Sequence, residues 1–196
     1  LEQIFNNAAK SFYVTNGKLK VPLVIRLVIG RGWGQGPQHS QSLETVFSYF
    51  PGLKVVMPCF PHEAKGLLTA SIEDKNPVVF LEHRWLHNSV GDVPAGYYKL
   101  DLNSAEKINN GEDVTVVSTS FSTLEALKVV NFLKSHSINC DFFNLRVLNP
   151  LNIDNINKSV NKTGKILTID TGYKKLGIGS EIISRIIENN AFYTLK

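Results

Sequence analysis

The sequence predicts an α/β protein of two successive domains, each built on a parallel or mixed sheet. Three observations carry that expectation. Short, nearly continuous apolar runs of the kind buried on both faces of a parallel sheet alternate with segments of helical period. The alternation breaks once, over 88–112, where Gly91, Pro94, Gly96, Asn109, Asn110 and Gly111 fall in a stretch with little periodicity. The chain has 196 residues, 43% of them hydrophobic, enough to bury one large core or two small ones. The expected division is therefore a domain over 1–90, a linker over 91–112 and a second domain over 113–196.

The elements follow in order. Leu1, Ile4, Phe5, Ala8, Ala9 and Phe12 have the i, i+3, i+4, i+7 spacing of an amphipathic helix over 1–12, which Asn16-Gly17 ends. A buried strand is expected over 22–26, then a glycine-rich loop over 30–40 and a helix near 41–50, closed by Pro51-Gly52. A strand over 53–57 precedes a helix over 61–73 with Pro61 in its first turn, a turn over 74–77 and a strand over 78–82. In the second domain, strands are expected over 113–118, 139–145 and 165–170, and helices over 123–135, 153–160 and 180–189. In the first of these helices Leu124, Leu127, Val130 and Leu133 share a face, Thr123 is the expected N-cap, and Glu125 and Lys128 are spaced to pair.

Composition excludes several function classes. The net charge is +4, and the 21 basic residues never gather into a run of five or six or interleave with an aromatic stripe. Nucleic-acid binding is not expected on that pattern. No apolar run reaches the roughly 18–20 residues of a membrane span. Cys59 and Cys140 stand in apolar surroundings without a CxxC pair, as buried, reduced thiols of an intracellular protein would. The first residues show no basic leader followed by an apolar block, and the sequence opens on Leu1 with its one methionine at Met57.

Two features invite chemistry. The glycines at 30, 32, 34 and 36 allow close backbone approach, but they match neither the P-loop nor the dinucleotide fingerprint, so a loop that re-aims the chain is expected. His39 lies where that loop becomes a helix, flanked by Gln38, Ser40 and Gln41, polar side chains able to orient an imidazole for proton transfer. His83 and His87, four apart, lack a third ligand at a known spacing and read as structural. Asp170-Thr-Gly172 resembles an aspartic-protease loop, a three-residue match of little weight in an α/β pattern.

One ordered series of motifs resembles a family. Val21-Pro-Leu-Val-Ile-Arg26, the glycine-rich loop, Gln38-His-Ser-Gln41, Pro51-Gly-Leu-Lys-Val-Val-Met-Pro58, Glu63-Ala-Lys-Gly-Leu-Leu68 and Asn76-Pro-Val-Val-Phe-Leu-Glu82 come first. They are similar to the pyrimidine-binding domain of thiamine-diphosphate 2-oxoacid decarboxylase beta subunits. Gly111-Glu-Asp-Val-Thr-Val-Val-Ser118, Asn144-Leu-Arg146, Pro150-Leu-Asn-Ile-Asp154, Lys162-Thr163 and Gly177-Ile-Gly-Ser-Glu-Ile182 are similar to the transketolase C-terminal domain. The resemblance implies two three-layer domains. It further implies a beta subunit of a 2-oxoacid dehydrogenase complex, acting through thiamine diphosphate with acyl transfer to lipoamide.

By the same resemblance His39 is the active-site histidine, and Ser71, Asp74 and Asn76 surround a potassium ion in some relatives. The implied partners are an alpha subunit in an α2β2 assembly, a second beta subunit and a lipoyl-bearing acyltransferase. The alpha subunit supplies the magnesium and diphosphate site. The implied compartment is the cytoplasm, or the mitochondrial matrix or plastid in a eukaryote. The family's activating glutamate and its pyrimidine-packing aromatic would lie upstream of residue 1, and relatives continue past Thr194-Leu195-Lys196, so this stretch is expected to be inactive alone and to self-associate through an unpaired sheet edge. Transketolase, a deoxyxylulose-phosphate synthase, a non-catalytic assembly fragment and an orphan α/β domain are the alternatives.

Overall fold

The structure, a computed structural model, describes residues 1–190; the end of the domain expected over 113–196, with Thr194, Leu195 and Lys196, lies outside the described residues. The strands are β1 (Val24–Ile29), β2 (Lys54–Val56), β3 (Val78–His83), β4 (Glu106–Asn109), β5 (Val114–Ser118), β6 (Cys140–Asn144), β7 (Val147–Asn149) and β8 (Ile166–Ile169). The helices are α1 (Ser11–Val14), α2 (Glu44–Ser48), α3 (Pro61–Glu73), α4 (Phe121–Ser135), α5 (Asp154–Thr163) and α6 (Ile178–Asn189). They build two four-stranded sheets, ordered β1-β3-β2-β7 and β4-β6-β5-β8. Within each, three strands run parallel and the fourth, β7 or β4, runs antiparallel at the edge. This is the α/β architecture the alternation predicted. Among the described residues no helix is long and apolar enough to cross a membrane.

Successive strand residues feed opposite cores, as a pleated sheet requires. In β3, Val78 and Phe80 pack with Leu67 and Ala70 of α3, while Val79 and Leu81 enter a core shared by both sheets. In β5 and β6, Val116 and Phe142 meet Ala126 and Val130 of α4. Their neighbours Val117 and Phe143 turn toward Ile156 and Val160 of α5 and Ile178, Ile182 and Ile186 of α6. The shared core thus fuses the halves instead of leaving two separate bodies.

Several elements depart from expectation. The first twelve residues form a π-turn over Gln3–Ala8 and then α1, because Phe5 and Ala9 alone are buried there. Phe5 stacks on Phe50 with ring centroids 3.8 Å apart, and tertiary packing overrides the local period. The 91–112 stretch, expected as a linker, carries β4 in its second half. That strand is short, polar and half-buried, so it leaves no periodic signal. β7 follows β6 after only Leu145 and Arg146 and is too short to register. Thr123 is not an N-cap. The α4 helix starts at Phe121, and the Thr123 hydroxyl instead accepts from Ser118 Oγ at 2.9 Å and donates to Asn144 Oδ1 at 3.1 Å. The Glu125–Lys128 pair does form, at 2.8 Å. Both cysteines are buried and unpaired, and burial pushes the Cys59 thiol's pKa up.

Candidate functional site

The carboxyl ends of β1, β3, β5 and β8 lead into loops that meet one another. In parallel α/β sheets this is the edge where sites are built. From β1 the chain enters the glycine-rich loop, and Gly32, Gly34 and Gly36 sit at φ of 82°, 87° and 79°. L side chains are strained there, which accounts for the alternation read from the sequence. The loop closes at its base through Gly30 N–H to Gln41 O at 2.9 Å. Inside it, Gln35 N–H donates to Ser40 Oγ at 2.9 Å and Gln41 Nε2 to Pro37 O at 2.8 Å.

His39 is exposed on this loop, its backbone N–H directed at Gly36 O at 3.4 Å. Its imidazole makes no hydrogen bond among the described residues. Ser40 and Gln41 therefore orient the loop's backbone and not the ring, contrary to the expectation from their flanking positions.

Below the loop lies an aromatic wall. Trp33 meets Trp85 edge to face at 4.7 Å, Arg84 sits 5.4 Å over the Trp33 ring, and Trp85 and His83 both stack on Phe121. His83 is wholly buried, and its Nδ1 accepts from Trp85 N–H at 3.3 Å, which puts the ring proton on Nε2. Burial first, and then the nearby His87, lowers its pKa to about 4, so it packs as a neutral ring.

The loop after β1 also reaches the second half. Arg31 donates to Gly172 O at 2.5 Å and Thr171 O at 3.3 Å, and its guanidinium lies 4.8 Å over the Tyr173 ring. Ser42 and Thr171 hydroxyls are 3.3 Å apart. Glu44 is buried nearby with Oε2 unpartnered among the described residues. Desolvation raises its pKa, and Asp170 adds to the effect while Arg31 opposes it.

A second charged cluster closes the seam between the sheets. The buried Glu63 carboxylate, at the third position of α3, accepts from Cys59 N–H at 2.9 Å and Phe60 N–H at 3.2 Å, capping that helix. It also accepts from Asn144 Nδ2 at 2.9 Å and Arg146 at 3.3 Å, both from the other half. Glu106 lies against it, 3.5 Å from Arg146. Burial, then the Glu63 carboxylate, raises Glu106 to a pKa of about 7. His62, Glu63 and Glu106 bring ligand atoms within 4.8 Å of one another, but Glu63 is already saturated by donors and a guanidinium stands beside it, so the cluster serves the seam and not a metal. Sequence reasoning missed this cluster; the glutamate two residues after the helix-opening Pro61 was the one local signal.

The side chains of the implied potassium set, Ser71, Asp74 and Asn76, are engaged within this turn, by the helix before it and by Lys54. Ser71 Oγ donates to Leu67 O at 2.7 Å. Asp74 Oδ2 is paired with Lys54, and its Oδ1 accepts from Asn76 N–H at 2.8 Å and Asn76 Nδ2 at 3.0 Å. The resident ammonium already satisfies the one carboxylate of the turn. Burial alone would raise the Asp74 pKa, but Lys54 and Asn76 hold it below the usual range.

Residues 3–88 match the transketolase pyrimidine-binding domain and residues 103–196 the transketolase C-terminal domain. The chain is 37% identical over its whole length to the beta subunit of acetoin:2,6-dichlorophenolindophenol oxidoreductase of Cupriavidus necator, covering 57% of that protein. To pyruvate dehydrogenase E1 component subunit beta it is 38% identical in Rickettsia bellii and 38% in the mitochondrial protein of Caenorhabditis elegans, covering 98% of this chain in each case. It spans 59% and 56% of those two proteins, so it corresponds to somewhat more than half their length. Among solved structures, a split-gene transketolase described as an inactive beta4 tetramer superposes with a TM-score of 0.74 at 18% identity, over 96% of this chain and 61% of that one, a likeness of fold.

Proposed function

The chain belongs to the transketolase-type family, carrying its pyrimidine-binding and C-terminal domains in that order, and from this we propose that it works as part of the beta subunit of a 2-oxoacid dehydrogenase complex. The reaction is the thiamine-diphosphate-dependent oxidative decarboxylation of a 2-oxoacid, with acyl transfer to lipoamide. The observation that carries the reading is the exposed, unencumbered imidazole of His39 on the loop leaving β1, in a chain whose named relatives are E1 beta subunits.

When bound, thiamine diphosphate supplies an electron sink for breaking the bond between the carbonyl and carboxylate carbons of the substrate. The residues present fit part of that site. The imidazole of His39 accepts or releases a proton as charge shifts on the acyl group, and nothing in its loop competes for it. The wall of Trp33, Trp85 and Phe121 gives the base of the loop an apolar, partly exposed face. The carboxylates nearest that edge, Glu44 and Asp170, face Arg31 and Gly172; the family resemblance assigns the activating carboxylate and the magnesium site to other parts of an α2β2 enzyme. A second beta subunit and a lipoyl-bearing acyltransferase complete the partners, in the bacterial cytoplasm, the mitochondrial matrix or a plastid.

A second reading keeps the fold and changes the substrate. The Cupriavidus relative is named as a subunit of an acetoin oxidoreductase, so acetoin stands beside pyruvate and branched-chain 2-oxoacids. The test uses the full-length subunit assembled with its alpha partner. Thiamine-diphosphate binding with magnesium is followed by calorimetry, and turnover is measured on pyruvate, a branched-chain 2-oxoacid and acetoin. For His39→Ala, cofactor affinity is expected within a few-fold of wild type and turnover to fall by roughly 100-fold or more. Absence of cofactor binding in the assembled wild type would leave a non-catalytic assembly role in its place.

A further inference from the structure

The loop that carries His39 is poorly fixed by its own bonds. Three of its residues are glycines at positive φ, and its internal hydrogen bonds, donated by Gly30, Trp33, Gln35, His39 and Gln41, all join loop to loop. What ties it to the body of the molecule is Arg31 at its start, Trp33 on the aromatic wall and Ser42 at its end. Two of those three ties end on a single turn of the other half, the one between β8 and α6.

That turn is shaped to be gripped. Gly172 presents its carbonyl to Arg31 while its own N–H donates to Asp170 Oδ1 at 2.8 Å. On the opposite side it is pressed against Glu44, so close that a Cβ at Gly172 would stand 2.4 Å from Glu44 Oε1. Tyr173 lays its ring under the guanidinium. The segment running from Arg31 to Glu44 therefore clasps the turn from two sides, with His39 between the points of contact. A lysine in place of Arg31 could reach one carbonyl, but it could not span two and stack as well.

We propose that Arg31 is a positioning residue for His39: it latches the histidine-bearing loop to the Thr171-Gly172-Tyr173 turn, so that the second half of the molecule sets where the imidazole points. This deepens the proposed function and rests on it for the role of His39, but the latch itself is a property of the chain. It assigns the second half a part in the chemistry, although none of its side chains hydrogen-bonds the loop's imidazole among the described residues.

The test takes the full-length subunit assembled with its alpha partner, as wild type and as Arg31→Ala, Arg31→Lys, Gly172→Ala and His39→Ala. Hydrogen exchange over residues 31–41 is read alongside kcat, KM and cofactor affinity. In Arg31→Ala, exchange over the loop is expected to rise about tenfold while exchange in β3 stays unchanged. Turnover should fall by a similar factor with KM and cofactor affinity within twofold. Arg31→Lys should recover part of both, and Gly172→Ala, which leaves Arg31 in place but displaces the turn, should reproduce the loosened loop. Unchanged exchange in Arg31→Ala overturns the latch whatever the activity does. Faster exchange with unchanged turnover overturns the positioning role. Full activity in His39→Ala overturns the reading of the histidine and leaves the exchange result to judge the latch alone.

Discussion

Glu63 and Glu44 are both buried glutamates in the first turn of a helix, and their surroundings differ completely. Glu63 is met by two backbone N–H groups, an amide and a guanidinium, drawn from both halves of the molecule. Glu44 has an oxygen with no partner among the described residues and a second carboxylate, Asp170, close enough to raise its pKa. A saturated buried carboxylate acts as a rivet; an unsaturated one is strained and costs stability whenever it is charged. The rivet holds the seam between the sheets. The strained group sits beside the turn that receives the His39 loop.

The comparison can be broken most directly at Glu63. Glu63→Ala strands Arg146 and Asn144 in the interior, and removing one partner of such a buried network costs about 3–5 kcal/mol. Chemical denaturation should show the loss, and a cost below about 1 kcal/mol would mean the cluster is not a rivet. Next in size is Glu44→Gln. Because burial raises the folded pKa of Glu44, the stability it contributes is complete below the ordinary value of 4.5 and is lost as pH rises through the higher folded value. The amide should therefore raise the melting temperature at pH 8 and leave it nearly unchanged at pH 4. A lower melting temperature at pH 8 would show that the charge has a partner after all.

Glu106→Gln sharpens the contrast within the seam. Its folded pKa of about 7 places the loss of stability between 4.5 and 7, in the same direction. Half-burial screens the effect, so the flattening of melting temperature against pH should amount to about 2 °C. The smallest changes belong to exposed groups. Lys128→Ala removes an exposed i, i+3 pair worth about 0.3 kcal/mol, and His39→Ala should shift stability by less than about 0.5 kcal/mol while removing the proposed activity. A large stability loss in His39→Ala would mean that the loop is a structural element.

Much of the fold is legible in the sequence because its parts are locally determined. The helix over 61–73 is found at its expected bounds since Pro61 opens it and the Asp74-to-Pro77 turn closes it. Buried parallel strands such as β3 announce themselves as unbroken apolar runs. The N-terminal turn and β4 were hidden for the opposite reason: their conformation is imposed by partners elsewhere in the chain. The site divides in the same way. His39 could be placed on its loop from the glycines and the following helix signal. The seam could not, because Glu63 and Asn144 stand 81 residues apart and neither has a local pattern that names the other. Arg31 and Gly172, 141 residues apart, were equally silent. What sequence reasoning supplies is the address of His39; what it omits is the scaffolding that holds its loop.

β7 belongs by chain order to the second half, yet it lies in the first sheet beside β2, with Val55 opposite Asn149 and Val56 opposite Val147. The two halves are therefore laced together, and neither owns all of its own strands. A polypeptide cut at residue 112 would send one sheet's edge away with the other fragment, so the pieces would have to reassemble in trans to regain the native form. For the same reason the halves cannot swing apart around a substrate like the shells of a hinge. Any opening and closing at the shared carboxyl edge is left to the loops, and chiefly to the one that carries His39.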